Sequence, residues 1–372
     1  MKLLFAAGGT GGHINPALAA AGEIRERFPD ADILFVGTKD KMESKLVPQA
    51  GFNFATIDID GFYRQLTVQN LKRNFKTLFK VLRASGQAKK ILRTFRPDVV
   101  IGFGGYVSGP VLRMAAKLGI PTAIHEQNAY PGITNKALAK RVDCVMLTSE
   151  KAAQYLQPKN PPVVTGLPVR GELLKANRAV SRAELGVRDD QKLILSMGGS
   201  LGAETINQAM VNLIAAHAQD KHLYFLHAMG QYGGWVPDKL REKGVDPDTA
   251  GNVELRAYIS DMDRCMSAAD LVICRAGASS LSELEAMGKA SILIPSPNVA
   301  ENHQYHNAMA LVDEGAACLL EEKDYTEQAM DALFCALVED DNRRRSMEQS
   351  ALKLAKPQAK QEIADRILSL IS

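Results

Sequence analysis

Short, continuous apolar runs alternate with helical patterns along nearly the whole 372-residue chain. The runs are rich in Leu, Ile, Val and Phe throughout, which is typical of parallel strands covered on both faces. Repetition of this βαβ unit restricts the fold class to α/β with parallel sheets. The predicted strands are 2–7, 31–37, 54–59, 98–103, 121–125, 143–148, 192–197, 222–229, 253–257, 270–275, 290–295 and 317–321.

The two halves of the chain open in the same way, on either side of a proline-rich segment at 157–163. An apolar strand runs into Gly-Gly-Thr-Gly-Gly at 8–12, and another runs into Gly-Gly-Ser-Leu-Gly at 198–202. We therefore predict two doubly wound, Rossmann-like domains that face each other across a cleft. The first domain is predicted at 1–164, with a C-terminal helix at about 354–372 returning to it, and the second at 165–353.

Composition excludes several classes of protein. A hydrophobic content of 46% with 23% charged residues argues against disorder. The five cysteines are an odd count without Cys-x-x-Cys spacing, which argues against a disulfide scaffold or a cysteine zinc site. No uncharged apolar stretch reaches the ~18 residues that a spanning helix needs. We expect a soluble, cytoplasmic protein.

The first glycine turn, at 8–12, is followed by His13 and Asn15-Pro16. Glycines let a backbone approach a ligand closely, and a helix start presents N–H groups to an anion. Asn15 is predicted to cap this helix, with Pro16 at its first position. The spacing is neither G-x-G-x-x-G nor a phosphate-binding P-loop. His13 is a candidate general base; the alternative is a tight structural turn with a structural histidine.

Two further turns in the second half have the same anion-binding character. One is Gly198-Gly199-Ser200, and the other is Gly277-Ala278-Ser279-Ser280, with a helix predicted to begin near Leu281. Glu283 is expected in the first turn of that helix, where a carboxylate can accept both hydroxyls of a ribose. The alternative is that Glu283 only complements the helix dipole.

Polar residues also follow two predicted strands, at 125–128 (His-Glu-Gln-Asn) and at 301–304 (Glu-Asn-His-Gln). Open α/β sheets bind ligands at such carboxyl ends. Two D-x-D tripeptides, at 58–60 and 261–263, match a motif of metal-dependent sugar-nucleotide transferases. Because helix N-termini could neutralise a diphosphate without a metal, we expect that no metal or other cofactor is required.

A basic stripe occupies residues 64–96, which contain ten basic residues and no acidic one. Subtracting these ten charges from the formal net charge of +3 leaves about −7 for the rest of the chain. Apolar residues recur at helical spacing within it, which favours docking on an anionic membrane surface over an ordinary packing helix or a nucleic-acid site. The residues predicted to meet the membrane are Lys72, Arg73, Phe75, Lys76, Phe79, Lys80, Leu82 and Arg83.

Five motifs in order resemble the MurG family of bacterial glycosyltransferases, over residues 1 to about 310. They are the segments 8–16, 104–110, 125–128, 198–200 and 300–304. The resemblance implies an inverting hexosyltransferase of GT-B fold that needs no metal. It would move N-acetylglucosamine (GlcNAc) from UDP-GlcNAc to undecaprenyl-diphosphoryl-MurNAc-pentapeptide in peptidoglycan synthesis. Such an enzyme is a peripheral protein on the cytoplasmic face of the inner membrane.

The resemblance also assigns roles to residues. It places the acceptor in the first domain and donor recognition in the second, and it also assigns Thr10, Gly11 and Gly12 to the donor site, with Asn128 reaching the sugar. The implied substrate-binding residues are Thr10, Gly11, Gly12, Asn128, Arg170, Ser200, Ile259, Ala278, Ser279, Ser280, Leu281, Ser282, Glu283 and Gln304. Two positions depart from the family pattern, since Leu167 stands where Asn is usual and Leu201 where Gln is usual.

Inversion in one displacement requires a base on the acceptor hydroxyl. His13 is the first candidate for this base and Glu126 the second. Three other functions stay open at this point: a nicotinamide oxidoreductase, which the missing G-x-G-x-x-G disfavours, a non-catalytic sugar-nucleotide or lipid-binding scaffold, and a sugar-nucleotide epimerase of the same fold.

Overall fold

The computed structural model describes residues 1–59 and 68–371. In the helix that begins at Val68, it describes the backbone throughout, and side chains at Lys80 and from Arg83 onwards. Contacts divide the chain into two units, Met1–Pro168 with Gln358–Ser372, and Val169–Pro357.

In its described residues, the first unit contains a seven-stranded parallel sheet of order β3-β2-β1-β4-β5-β6-β7. Its strands are β1 (Lys2–Ala6), β2 (Asp32–Gly37), β3 (Asn53–Thr56), β4 (Val99–Gly102), β5 (Thr122–Glu126), β6 (Cys144–Leu147) and β7 (Val163–Val164). Its first helices are α1 (Gly11–Arg27), α2 (Glu43–Gln49), α3 (Val68–Phe95), α4 (Gly105–Lys117) and α5 (Ile133–Ala139). Apart from the exposed Lys2, the residues of β1, β4 and β5 are buried because helices cover both faces.

The second unit repeats this plan with a six-stranded parallel sheet of order β10-β9-β8-β11-β12-β13. Its strands are β8 (Lys192–Met197), β9 (Leu223–Ala228), β10 (Val253–Arg256), β11 (Leu271–Cys274), β12 (Ser291–Leu293) and β13 (Ala317–Leu319). Its helices are α6 (Gly171–Lys175), α7 (Arg178–Glu184), α8 (Glu204–His217), α9 (Val236–Glu242), α10 (Met262–Ala268), α11 (Ala278–Met287), α12 (His303–Val312), α13 (Glu327–Val338) and α14 (Asp341–Leu354).

The final helix, α15 (Ala359–Leu368), packs on α1 in the first unit. Ile363 and Ile367 are fully buried in the core cluster that also contains Leu3 and Phe5. Arg27 of α1 pairs with Asp365 at 2.5 Å.

The predicted fold class is confirmed, because each apolar run contains a strand and every described strand pair is parallel. The predicted and observed strands differ at their ends; for example, β3 ends at Thr56 rather than at Ile59. The proline-rich segment also contributes structure, since Val163 and Val164 pair with β6.

Both sheets reverse their strand order once, between β1 and β4 in the first unit and between β8 and β11 in the second. At such a switch point the loops diverge to opposite sides and leave a crevice at the carboxyl ends of the strands. The three glycine turns follow β1, β8 and β11, and so they lie at these two switch points.

Candidate active site

The turns after β1 and β4 contact each other backbone to backbone. Gly105 has a φ of +75°, and a Cβ built on it would lie 2.3 Å from the carbonyl oxygen of Gly8. No side chain fits at Gly105 without displacing the main chain, so the turn after β4 needs glycine at this contact. The Ser108 hydroxyl lies 2.9 Å from the Ala6 carbonyl and 2.7 Å from that of Gly104, which joins α4 to the end of β1.

The fully buried carboxylate of Glu43 holds the first glycine turn in place through hydrogen bonds. Its Oε2 accepts a hydrogen bond from the Gly9 N–H at 3.2 Å, where Gly9 has a φ of +95°. Its Oε1 accepts from the Thr38 N–H at 3.0 Å and from the Thr38 hydroxyl at 2.7 Å. The sequence alone did not reveal this residue, because nothing near Glu43 in the chain indicates that α2 returns to the turn.

Helix α1 begins at Gly11, so the prediction that Asn15 and Pro16 open it is wrong. The N–H groups of His13 and Ile14 already bond to the Thr10 carbonyl, at 3.1 and 3.2 Å. Pro16 lies in the second turn of the helix, where it removes the bond that a backbone N–H would make to the Gly12 carbonyl. Thr10, Gly11 and Gly12 therefore form the helix entrance.

His13 lies in the first turn of α1 and is partly exposed. Its Nδ1 is 3.1 Å from the hydroxyl oxygen of Thr10, which makes no side-chain cap to the helix. Its imidazole packs on Gly104, where a Cβ would lie 3.0 Å from Nε2. The structure thus brings His13 to the switch point between β1 and β4.

His125, at the end of β5, is a buried structural histidine. Its Nε2 is 2.8 Å from the Gly166 carbonyl, and its ring stacks on Phe103 at 5.3 Å. The Gln127 amide donates to Nδ1 at 3.2 Å, which is consistent with a proton on Nε2. Burial lowers the pKa of His125 to about 4, against the opposing effect of the Gly166 hydrogen bond, so the ring is neutral at physiological pH.

The neighbouring Glu126 is also buried, and its carboxylate ties down the loop between β5 and α5. Oε1 accepts from the backbone and side-chain amides of Asn128, at 3.0 and 3.3 Å. Oε2 accepts from the Gly132 N–H at 3.1 Å and from the Asn135 amide at 2.8 Å. Burial raises the pKa of Glu126, and these hydrogen bonds oppose that increase. Asn128, a predicted sugar contact, is thereby held beside the carboxylate.

In the second unit, the turn between β8 and α8 is held by main-chain contacts. The Gln231 and Tyr232 N–H groups donate to the carbonyls of Ser200 and Leu201, at 3.1 and 3.0 Å. Gly202, with a φ of +86°, would place a Cβ 2.3 Å from the Met229 carbonyl oxygen. Ser200 and Leu201 are exposed at the tip of the turn, so the leucine in place of the usual glutamine does not disturb the backbone.

Helix α11 begins at Ala278, three residues before the predicted start at Leu281. Its N-cap is Gly277 without a side-chain cap, and the Leu281 N–H makes the first backbone bond of the helix, to the Gly277 carbonyl at 3.0 Å. The N–H groups of Ala278, Ser279 and Ser280 therefore point out of the helix start. Within α11, Leu281 and Ser282 are buried.

Glu283 lies in the second turn of α11 rather than in the first, which corrects the prediction. Its Oε1 accepts from the Nε of Arg170 at 2.8 Å. Tyr258 and Asp263 also interact electrostatically with this guanidinium. The structure thus gathers Arg170 and Glu283 near Tyr258, the residue next to the buried Ile259.

The loop before α12 carries two consecutive residues in the left-handed region, Glu301 with a φ of 56° and Asn302 with a φ of 50°. Such backbone strain is typical of ligand-binding segments. The loop leads directly to Gln304, whose Oε1 accepts from the Ser296 N–H at 2.9 Å. One turn further, the Asn307 amide donates to the Ala276 carbonyl at 3.2 Å and so joins α12 to the turn before α11.

Comparison with known proteins identifies the family to which a chain with this arrangement belongs. Residues 3–147 match the glycosyltransferase family 28 N-terminal domain, and residues 193–367 match the glycosyltransferase family 28 C-terminal domain. The chain belongs to glycosyltransferase family 28. The two-domain GT-B fold and the glycosyltransferase class that the resemblance implied are confirmed.

This family 28 chain is 44% identical over 370 residues to a protein of Thermoanaerobacter sp. (strain X514), with 100% of both chains covered. It is 42% identical over 364 residues to a protein of Desulforamulus reducens, covering 98% of this chain and 97% of the relative. Both relatives are named UDP-N-acetylglucosamine--N-acetylmuramyl-(pentapeptide) pyrophosphoryl-undecaprenol N-acetylglucosamine transferase.

The crystal structure of Acinetobacter baumannii MurG superposes on the family 28 chain with a TM-score of 0.80 at 30% identity, covering 99% of both chains. The resemblance to the MurG family is therefore confirmed.

One aspartate of each D-x-D tripeptide is paired with a cation in this glycosyltransferase. Asp58 lies 3.3 Å from Lys80 and 3.6 Å from Arg83, and Asp261 lies 2.8 Å from Arg256. Asp60 lies outside the described residues.

Part of the basic stripe forms helix α3 of the glycosyltransferase, as its periodicity predicted. Lys80 and Arg83 are described, and both contact Asp58. Among the described residues, no helix is long and apolar enough to cross a membrane. The predicted membrane-contact side chains that lie outside the described ones are Lys72, Arg73, Phe75, Lys76, Phe79 and Leu82.

Proposed function

We propose that this chain transfers GlcNAc from UDP-GlcNAc to the muramoyl 4-hydroxyl of undecaprenyl-diphosphoryl-MurNAc-pentapeptide, with inversion at the anomeric carbon. The observation that carries the proposal is the full-length similarity to transferases named for this reaction. Glycine turns at the switch point of each sheet support it, because they supply backbone amides where nucleotides and diphosphates bind.

The donor is assigned to the second unit. The N–H groups at the start of α11 face outward without a side-chain cap, and they can bind the diphosphate. Arg170 adds a positive charge, and Glu283 holds its guanidinium through Nε, which leaves the terminal nitrogens to the phosphates. The second Glu283 oxygen can accept the ribose hydroxyls, the buried Ile259 contributes its backbone to the uracil, and Gln304 donates through Nε2 to the sugar.

His13 is assigned as the general base on the acceptor hydroxyl. For Nε2 to take a proton, Nδ1 must carry its hydrogen and donate it to the Thr10 hydroxyl oxygen, 3.1 Å away. Thr10 then acts as a positioning residue, which fixes the tautomer. Placement at the α1 entrance puts the base beside the amides of Gly11 and Gly12.

Glu126 is assigned a positioning role in this proposal. Four N–H donors already surround its carboxylate, and the side chain is only 2% exposed. Removing a proton from a hydroxyl would require Glu126 to release part of this network. In this role Glu126 holds the loop between β5 and α5, so that Asn128 is positioned to contact the sugar.

The departing UDP carries negative charge, which the α11 amides, the turn at Ser200 and Arg170 can stabilise without a metal ion. We propose on this basis that the transfer requires no cofactor. UDP release measured with and without a chelator tests this point, and loss of activity in the chelator would contradict it.

The basic stripe is assigned to an anionic membrane surface, with the chain as a peripheral protein on the cytoplasmic face of the inner membrane. Each basic residue near such a surface contributes about 1 kcal/mol, so several suffice for reversible docking. Charge reversal at Lys72, Lys76 and Lys80 should weaken sedimentation with anionic vesicles and spare turnover of a water-soluble acceptor. Unchanged vesicle binding would assign α3 to ordinary packing, and retained binding to neutral vesicles would exclude an electrostatic contact.

The reaction is tested with purified protein, UDP-GlcNAc and a soluble analogue of the lipid-linked acceptor. We expect acceptor-dependent release of UDP and a disaccharide product. UDP-GalNAc in place of the donor is the matched control, and it should be a poor substrate. UDP-GlcNAc binding without turnover would leave only a binding scaffold, whereas conversion without an acceptor would indicate an epimerase.

A further inference from the structure

Three potential metal ligands lie together on the second unit, far from the glycine turns. They are His217, the last residue of α8, and Asp331 and Cys335, one turn apart on α13. One ligand atom from each lies within 4.8 Å of the others, and among the described residues no other group of three meets this condition.

The geometry is close to that of a tetrahedral site. Nitrogen, oxygen and sulfur ligands of zinc lie about 3.3–3.7 Å apart, given metal–ligand distances of about 2.0–2.3 Å. His217 Nε2 is now 2.6 Å from Asp331 Oδ1, a hydrogen bond that an ion would replace by moving the two atoms slightly apart. Because both helices are fixed in the core through Leu213, Ile214 and Phe334, only side-chain rotations are needed.

The electrostatic surroundings favour a cation. The charged groups that act on the Cys335 thiol are the carboxylates of Asp331 and Glu339. The side chains of His217 and Asp331 are 23% and 47% exposed, so an ion can enter from solvent. Beside Asp331 lies a cavity of about 200 Å³ that Glu327 and Asn212 also line, and solvent can supply a water molecule as the fourth ligand.

We propose that His217, Asp331 and Cys335 form a binding site for a divalent transition metal, with Zn²⁺ as the best match to a nitrogen, oxygen and thiolate set. The ion would join the end of α8 to α13. Helix α8 starts at the second glycine turn, and its 14 residues place the site about 20 Å from that turn. The site is therefore separate from the transfer reaction and from any metal that the transfer reaction could use.

The first experiment uses the whole chain, freed of metal with a chelator and titrated with Co²⁺. A thiolate ligand produces sulfur-to-cobalt charge-transfer absorption, and the d–d bands report tetrahedral geometry. We expect one equivalent to give both signals, and Zn²⁺ to displace the cobalt. Absence of the charge-transfer band in the unmodified protein would overturn the proposal, whatever the variants do.

The second experiment compares variants by competition for Zn²⁺ with a chromophoric chelator. Cys335→Ser and Asp331→Asn should each weaken binding at least about 100-fold, since even outer partners of metal ligands contribute 10–100-fold. Both side chains are accessible enough for the fold to tolerate these changes, and thermal unfolding without metal checks it. Binding that persists in both variants would overturn the assignment.

The chain offers two matched controls. Cys318→Ser removes another half-buried thiol from the same unit. His222→Gln removes another histidine paired with an aspartate, since His222 Nδ1 lies 3.4 Å from Asp190. Neither should change the affinity or the cobalt spectrum. A loss as large as that in Cys335→Ser would mean that the metal binds surface groups non-specifically, and would contradict the proposal.

The metal must displace the thiol proton, which gives the site a pH dependence. We expect Zn²⁺ affinity to fall as the pH is lowered, because protons compete with the metal for its ligands. Affinity that does not depend on pH would exclude the thiolate as a ligand.

Discussion

Replacing Glu43 with Gln tests whether a buried carboxylate positions the first glycine turn. The glutamine oxygen can keep both hydrogen bonds from Thr38. Its NH₂ group then faces the Gly9 N–H, which in the unmodified protein donates to Oε2 of Glu43 at 3.2 Å. One charge-assisted hydrogen bond is lost and two buried donors oppose each other. Together these effects should destabilise the first unit by about 3 kcal/mol.

This change in stability is measured by urea unfolding of the whole chain, monitored with probes placed in the first unit. With a slope of about 2 kcal/mol/M, the midpoint should fall by about 1.5 M. Glu314→Gln, at an exposed glutamate, is the matched control and should unfold like the unmodified protein. A shift in Glu43→Gln below about 0.5 kcal/mol, the range of ordinary surface substitutions, would refute the reasoning.

The same variant separates positioning from donor binding. Displacement of Gly9 moves the entrance of α1, and with it Thr10 and His13, by a fraction of an ångström. We expect kcat to fall about 10-fold, because catalysis is sensitive to small misplacements of reacting groups. The KM for UDP-GlcNAc should change less than kcat, since most of the donor contacts are assigned to the other unit. A change confined to KM would contradict that assignment.

His13→Ala should lower kcat at least about 100-fold, as expected for loss of a general base, while calorimetry shows unchanged UDP-GlcNAc affinity; near-normal turnover would move the base to Glu126 or elsewhere. Arg170→Ala should weaken UDP-GlcNAc binding about 10–100-fold by removing a charged hydrogen-bond donor, and unchanged affinity would exclude Arg170 from the diphosphate site. Burial lowers the pKa of His125 and His227 to about 4 from 6.5. The unfolded chain protonates these histidines at a higher pH than the folded protein does. Each histidine should therefore reduce the free energy of unfolding by on the order of 3 kcal/mol as the pH falls from about 6.5 to 4. Urea midpoints that stay constant over this range would contradict burial of neutral imidazoles.

Strand positions and the paired glycine turns could be predicted from the sequence because both depend on local physics. A continuous apolar run fits a parallel strand wherever the chain places it, and Gly8–Gly12 repeats the pattern of Gly198–Gly202. Helix starts were harder to predict. Pro16 resembles a first helical residue, yet the helix begins at Gly11, because the Thr10 carbonyl accepts the first bonds.

Contacts made across the sheet could not be read from the chain. Glu43 reaches Gly9 over 34 residues, and Arg170 reaches Glu283 over 113. Neither pair carries a spacing signal, because the approach depends on which strands become neighbours. Glu126 shows the same limit. Its position at the end of a strand fits a catalytic role and a structural role equally well, and only the fold reveals the four hydrogen bonds that its carboxylate accepts.

Helix α15 has a consequence for how the molecule is made. Ile363 and Ile367 complete a core whose other side chains, such as Leu3 and Ile14, come from the opposite end of the chain. The ribosome must therefore translate the entire second unit before the amino-terminal core can close. Until then α1 keeps an apolar face uncovered, which makes the nascent amino-terminal half a natural client for chaperones.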